Sequence, residues 1–407
     1  MRDGRGSDMK RLLPLAFVVV VDLLGFGIII PLFPFMGVRF GLLPAQVTLI
    51  LAAFSLCQLV AAPLWGALSD RFGRRPILMS SMIGASLSYF LLAFGEGALW
   101  LVASRVLGGL MAGNLSAAFA YAADVTSPEE RAKGLGVVGA AIGLGFTLGP
   151  AIGGLMAGAD AQSASFTAPA LTAACLSLAA CISVWVFLPE SHTPEQRASQ
   201  VERRGRLELS ALASRPVLFK LTLATLLFTI AHAMLESILA LWALDRFGFG
   251  PRQVGLLFLL IGGVLVVMQG GVVGRLTRRF EERHIAVTGL AVYMTGLATL
   301  ALADSVAFAV LGGLCCGIGF GAYNPCMSSL ASKQAGAHER GVVMGTYQSA
   351  TSLARVIGPA MSGAVYAAVA MQAPYVLGIA ISLPAIWLIL ATPAVSVARP
   401  AARSERA

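Results

Sequence analysis

Twelve stretches of about 20 or more residues run through this 407-residue chain almost free of charge, and that pattern restricts the possible folds more than any other feature. An apolar run of about 20 residues is what an α-helix needs to cross a hydrocarbon layer roughly 30 Å thick. The runs lie near residues 12–36, 46–66, 76–95, 98–123, 134–158 and 166–188, then 217–244, 253–274, 285–303, 306–331, 341–369 and 374–394. Hydrophobic side chains form 57% of the chain and charged ones 12%, about half the charged share of a soluble protein. The fold expected is therefore an all-α integral membrane protein with twelve transmembrane helices. Little chain is left for a soluble domain, and no G-x-x-x-x-G-K-[ST] phosphate loop occurs, so nucleotide hydrolysis is not the expected energy source.

The boundaries follow from where charge returns. Pro189 to Arg215 carries Glu190, Glu195, Arg197, Glu202, Arg203, Arg204, Arg206 and Glu208. It reads as a polar linker at 189–215 between an N-terminal half, 1–188, and a C-terminal half, 216–396, with a tail at 397–407. The first apolar run is too long for a secretory signal and carries Asp22 and three prolines, so it reads as a retained span. Cys57, Cys175, Cys181, Cys315, Cys316 and Cys326 all fall inside apolar runs, without a C-x-x-C pair or a suitably spaced histidine. They read as small packing residues, and no metal is expected.

The net charge of +9 is explained by topology rather than by a nucleic-acid partner. Of the 29 Lys and Arg residues, 24 fall in the two ends and the even-numbered loops, and only Arg39, Arg246 and Arg252 lie on the opposite side. Cationic residues concentrate in cytoplasmic loops, so twelve spans with both termini cytoplasmic is the topology expected.

The halves repeat. Gly66-x-Leu68-x-x-Arg71-Phe72 returns as Gly274-x-Leu276-x-x-Arg279-Phe280, and Glu130-Arg131, Gly136, Gly149-Pro150 and Gly154 return as Glu339-Arg340, Gly345, Gly358-Pro359 and Gly363. An even number of spans per copy gives both copies one orientation, hence two pseudo-symmetric six-helix bundles about an axis along the membrane normal, with a cavity between them.

The loop sequence Gly66-Ala67-Leu68-Ser69-Asp70-Arg71-Phe72-Gly73-Arg74-Arg75-Pro76 resembles the G-x-L-x-D-R-x-G-R-R motif of the major facilitator superfamily. Arg105-x-x-x-Gly109 resembles that family's buried-arginine motif, and Gly145-x-x-x-Gly149-Pro150-x-x-Gly153-Gly154 its antiporter motif. Asp22-x-x-Gly25-x-Gly27-x-Ile29-x-Pro31-x-x-Pro34 is similar to the first span of bacterial tetracycline efflux pumps. Two positions depart from those pumps: Ser88 stands where they carry an acid, and no acid occurs between Ile285 and Ala303. The resemblance implies a transporter rather than an enzyme. It would export a drug-like amphiphile, tetracycline-like in one version, by proton antiport across a bacterial inner membrane, with the gradient in place of a cofactor. The partners implied are a small-molecule substrate, protons and the bilayer, with the chain working as a monomer. A proton-coupled carrier of a specific metabolite is the alternative.

Ionisable residues inside spans are costly and so mark function. Asp22, about ten residues into span 1, is the expected proton carrier, with Arg105 in span 4 as the fixed charge that tunes it. His232 and Glu236, four apart in span 7, share one helix face. Glu236 either binds a cationic compound, joins the proton path, or pairs with Arg355 of span 11. Asp22, Glu236, His232 and Arg355 are the substrate-binding candidates. The resemblance assigns Gly66, Asp70, Arg71, Gly73, Arg74 and Arg75 to a conformational latch, with Asp70 docking near Arg340 and Gly341. Gly145, Gly149, Pro150, Gly153 and Gly154 are expected to pack and bend span 5.

Overall fold

The computed structural model describes residues 4–127, 130–191, 215–334 and 340–392. Most of the linker and the whole tail lie outside this range. Every regular element among the described residues is helical. In chain order these are α1 (Gly4–Ile29), α2 (Phe33–Arg39), α3 (Pro44–Phe72), α4 (Arg74–Phe94), α5 (Ala98–Leu110), α6 (Asn114–Val125), α7 (Arg131–Ala157) and α8 (Thr167–Phe187). The second half contains α9 (Pro216–Phe247), α10 (Pro251–Val267), a π-turn at Met268–Val272, α11 (Val273–Leu276), α12 (Glu282–Ala301), α13 (Val306–Lys333), α14 (Arg340–Ala368) and α15 (Ala373–Leu390).

These elements make the expected spans. Span 1 is α1 with α2, span 4 is α5 with α6, and span 8 is α10 continued through the π-turn into α11. Eleven spans are both long and apolar enough to cross a membrane. The remaining one, α14, is 29 residues long, or about 43 Å at 1.5 Å per residue, so length is not what distinguishes it. Gln348, Thr351, Ser352 and Arg355 lower its hydropathy.

Glycine sets the closest helix contacts. On α7, Gly145, Gly149 and Gly153 fall four apart on one face, and that face lies against α1. A methyl group on Gly149 would sit 2.7 Å from the Cα of Gly27, and one on Gly145 would sit 2.5 Å from the Cβ of Leu23. Lipid tails are as apolar as the side chains, so there is no hydrophobic drive between helices, and the van der Waals packing that close backbone approach allows is one of the forces that hold them together. The α12–α13 pair repeats the device with Gly289 against Gly319 and Gly296 against Gly312.

The halves meet along two pairs, α7 with α10 and α3 with α14. Both contacts are tight at the face the cation distribution assigns to the outside. Gly154 of α7 lies against the Pro251 carbonyl and the Cα of Gly255, and the Arg252 N–H donates to the Gly158 carbonyl at 3.0 Å. Gly363 of α14, the repeat copy of Gly154, lies against Thr48 and Ala45 of α3. Towards the other face, a methyl added at Gly136, Gly139 or Gly143 of α7, at Gly263 of α10 or at Gly270 of the π-turn meets nothing within 4 Å. The bundles are therefore packed tightly against each other at one end, and these glycines towards the other end make no such contact.

Candidate functional site

Two spans are broken where function was expected, and each break places a side chain. In span 4 the helix stops at Leu110 and restarts at Asn114. Broken backbone at membrane depth must find partners, and it does. Ser81 of α4 donates to the Met111 carbonyl and accepts from the amides of Gly113 and Asn114 at 3.1 and 2.9 Å, while the Trp65 indole donates to the Leu110 carbonyl at 2.6 Å. The restart turns the Asn114 side chain onto Asp22, where its amide donates to Oδ2. Ser177 of α8 donates to Oδ1 at 3.4 Å. Asp22 is only 4% exposed, and its partners are both neutral.

Arg105 does not pair with it. Among the described residues the two form no ion pair. The break of span 1 between Ile29 and Phe33 carries Pro31 and sets Phe33 over the guanidinium, 5.3 Å from its carbon, with Phe54 at 5.7 Å. Arginine is weakly hydrated enough to lie between aromatic rings. The Nε and Nη2 of Arg105 have no hydrogen-bond partner.

In the second half, His232 stacks on Phe320 with centroids 4.0 Å apart, and its Nδ1 is 3.3 Å from the Tyr293 hydroxyl. Phe228 packs on Tyr323 at 3.9 Å and extends the same aromatic wall. Glu236 is half-buried and Arg355 exposed. Neither makes a hydrogen bond or ion pair among the described residues, so the pairing of Glu236 with Arg355 is not formed.

The loop motif is arranged around Arg74, which is 6% exposed. Its guanidinium bonds Asp70 at 2.6 Å, Asp124 at the end of α6 at 3.0 Å, and Ser69 at 3.1 Å. Glu190, just past α8, accepts from the backbone N–H groups of Arg74 and Arg75 at 2.9 and 3.2 Å, a carboxylate at the positive end of α4. Gly73 has φ +108°, a conformation that favours glycine. Arg71 is exposed beside the Phe72 ring, and Gly66 has no neighbour within 4 Å of an added methyl. The expected docking place for Asp70 is the start of α14 near Arg340 and Gly341, whose surroundings lie outside what is described.

Asn114, Ser177, Phe33, Phe54 and Asp124 were not singled out from the sequence. Asn114 was the most findable, since a lone amide inside an apolar span needs a partner. An apolar groove of about 480 Å³ between α10 and α13, lined by Leu259, Leu260, Gly263, Val264, Val267, Met268 and Ile318, contains none of the candidate residues. No cluster of three or more metal-binding side chains occurs among the described residues.

Two six-helix bundles closely packed against each other at one end, with ionisable side chains at mid-span, define a membrane carrier. The chain belongs to the Major Facilitator Superfamily, whose family model matches residues 15–359 and 272–407. It is a multi-pass membrane transporter and not an enzyme. It is 32% identical over 359 residues to the class C tetracycline resistance protein of Escherichia coli, covering 86% of this chain and 88% of that one. It is 33% identical over 345 residues to Major facilitator superfamily domain-containing protein 10 of Bos taurus, covering 78% and 72% respectively. Among solved structures, the human organic anion transporter MFSD10 superposes with a TM-score of 0.69 at 26% identity, covering 94% of this chain and 99% of that chain.

Proposed function

We propose that this transporter exports a drug-like amphiphile from the cytoplasm in exchange for protons. The observation that carries the reading is Asp22, a carboxyl group buried at mid-span and held by the neutral donors Asn114 and Ser177. A carboxylate locked to an arginine would resist protonation. One held by neutral groups in a low-dielectric setting gains and loses a proton as water access changes. The tight α1–α7 and α7–α10 contacts connect Asp22 to the gate between the halves, and the likeness to a tetracycline resistance protein supports export of a compound of that kind. The carrier uses the proton gradient and no cofactor, needs no nucleic acid, and works as a monomer in a bacterial inner membrane with both termini cytoplasmic.

A second reading, a proton-coupled carrier of a specific metabolite, is favoured by the charged groups Glu236 and Arg355, which suit a polar ligand. The direction of proton flux separates the two. In inverted vesicles containing a pH-sensitive dye, tetracycline, ethidium, a fluoroquinolone and chloramphenicol would be added in turn. Proton release from the vesicles on adding one compound, seen in wild type and absent in Asp22→Asn, is the result expected for antiport. No release with any compound, from protein shown folded and correctly oriented, sinks the export reading and favours the metabolite carrier.

A further inference from the structure

Arg355 lies fifteen residues from the start of α14 and thirteen from its end, roughly 20 Å from either at 1.5 Å per residue. It is exposed at mid-membrane depth, where a bare guanidinium facing lipid costs several kcal/mol on the mildest scales. The helix geometry shows where it faces instead. Ala354, Gly358 and Ser362 fall on the side of α14 turned to α9, with Gly358 against Ile230 and Ala233 and Ser362 bonded to Ser237. Gly363 marks the side turned to α3. At 100° per residue, Arg355 falls between those two sides, as do Gln348 and Ser352, in the arc bounded by the two bundles. It therefore faces the space between the halves.

The balance of charge there is one-sided. Away from the span ends, the spans hold two carboxyl groups, Asp22 and Glu236, and two guanidinium groups, Arg105 and Arg355. A carboxyl group can become neutral, but arginine stays charged. The four together run from zero, with both acids ionised, to plus two, with both protonated, and never become negative. Arg105 is shut between Phe33 and Phe54, so Arg355 is the cation left open to a ligand. On α9, which this part of α14 packs against through Gly358 beside Ile230 and Ala233, His232 is half-buried and stacked on the half-buried Phe320, which offers a flat surface.

We propose that this site takes a flat aromatic compound bearing an acidic group, with the anion against the Arg355 guanidinium and the ring system against His232 and Phe320. The proposal rests on the reading of the chain as a carrier with a central site, and it narrows the substrate class from amphiphiles in general to acidic ones. Glu236 then acts as a selective neighbour. Its negative charge disfavours the anion.

Binding rather than transport tests this, so failure of the export reading leaves the test intact. Fluorescein and rhodamine 6G share a xanthene ring system and carry opposite charge at neutral pH. Fluorescence polarisation with purified full-length protein in nanodiscs measures both. Wild type is expected to bind fluorescein more tightly than rhodamine 6G. Arg355→Gln should weaken fluorescein by about tenfold or more, the effect of losing a charged hydrogen bond, and leave rhodamine 6G unchanged or tighter. Arg355→Lys, which keeps the charge, should retain the preference for the anion even if the glutamine variant folds poorly, and Glu236→Gln should tighten fluorescein. Preference of the wild type for the cation, binding of neither dye, or equal loss of both dyes in Arg355→Gln would overturn the proposal.

Discussion

Asn114 donates to the carboxylate of Asp22 from a helix start that exists only because span 4 breaks three residues earlier. The proposed proton site is thus an acid and an amide, with Arg105 enclosed by Phe33 and Phe54 instead of bound to the acid. Asparagine donates to either protonation state of its neighbour only through its NH₂ group, and its carbonyl can accept when the acid carries a proton. That makes Asn114 a positioning residue for coupling. Asn114→Ala should reduce proton release in inverted vesicles at least fivefold while leaving substrate binding within a factor of two or three, a split in line with losing one hydrogen bond to a charged group. Full coupling in that variant would remove the role.

Ser81 serves the same site at one remove, since it satisfies three backbone groups at the break that aims Asn114. Ser81→Ala leaves buried amides without an acceptor and should cost about 1–3 kcal/mol. Thermal unfolding in detergent measures the cost, and the coupling assay should show the same defect as Asn114→Ala. Ser81→Cys, which keeps a weak acceptor, should fall between.

Arg74 and Asp70 should respond differently to removal. Arg74 is buried and bonded to two partly exposed carboxylates, Asp124 also accepting from Ser191, so Arg74→Ala removes charge-assisted hydrogen bonds and should destabilise the protein by about 1.5–3 kcal/mol. Asp70→Asn leaves Arg74 bonded to Asp124, and near-normal unfolding with lost transport is expected. If Asp70→Asn unfolds as readily as Arg74→Ala, the acid is a structural part of the loop and not a switching one.

The outer seal is made of small residues, and a large side chain should hold it open. Gly154→Leu and Gly363→Leu both place a branched group where backbone now meets backbone across the halves. Spin labels at Ser163 and Asp304, exposed on opposite halves, should move to a longer distance in either variant, and transport should stop. An unchanged distance distribution in both would show that the contact is not the gate.

The spans, their order and the internal repeat were legible because each rests on a periodic signal: hydropathy, the side on which cations fall, and an offset of 208 or 209 residues. Asp22, His232, Glu236 and Arg355 were legible as exceptions to that signal. Their partners were not. The Asp22–Asn114 bond joins residues 92 positions apart, and nothing in a hydropathy pattern says that span 4 will break at Met111. Pairing opposite charges, the natural guess for Asp22 with Arg105 and for Glu236 with Arg355, overlooks that aromatic rings and amides also hold charge in a membrane interior. The glycines of span 5 were legible as packing residues, yet only the structure divides them between α1, met by Gly145, Gly149 and Gly153, and α10, met by Gly154.

The polar stripe on α14 also bears on how the chain is made. A segment entering the bilayer from the ribosome is sorted on its own hydropathy, and an arginine at its centre weighs against entry by about 2.5–3.5 kcal/mol. Among the described residues, the helix that carries Arg355 is the span that falls short in hydropathy. Only four residues separate it from α15, so the two can enter as a hairpin in which the second, strongly apolar helix carries the first. Truncation of the nascent chain before Ala373 should then leave α14 outside the bilayer. Assembly of the eleventh span waits for the twelfth, and the side chain that makes this helix slow to insert is the one that faces the space between the halves once it is in place.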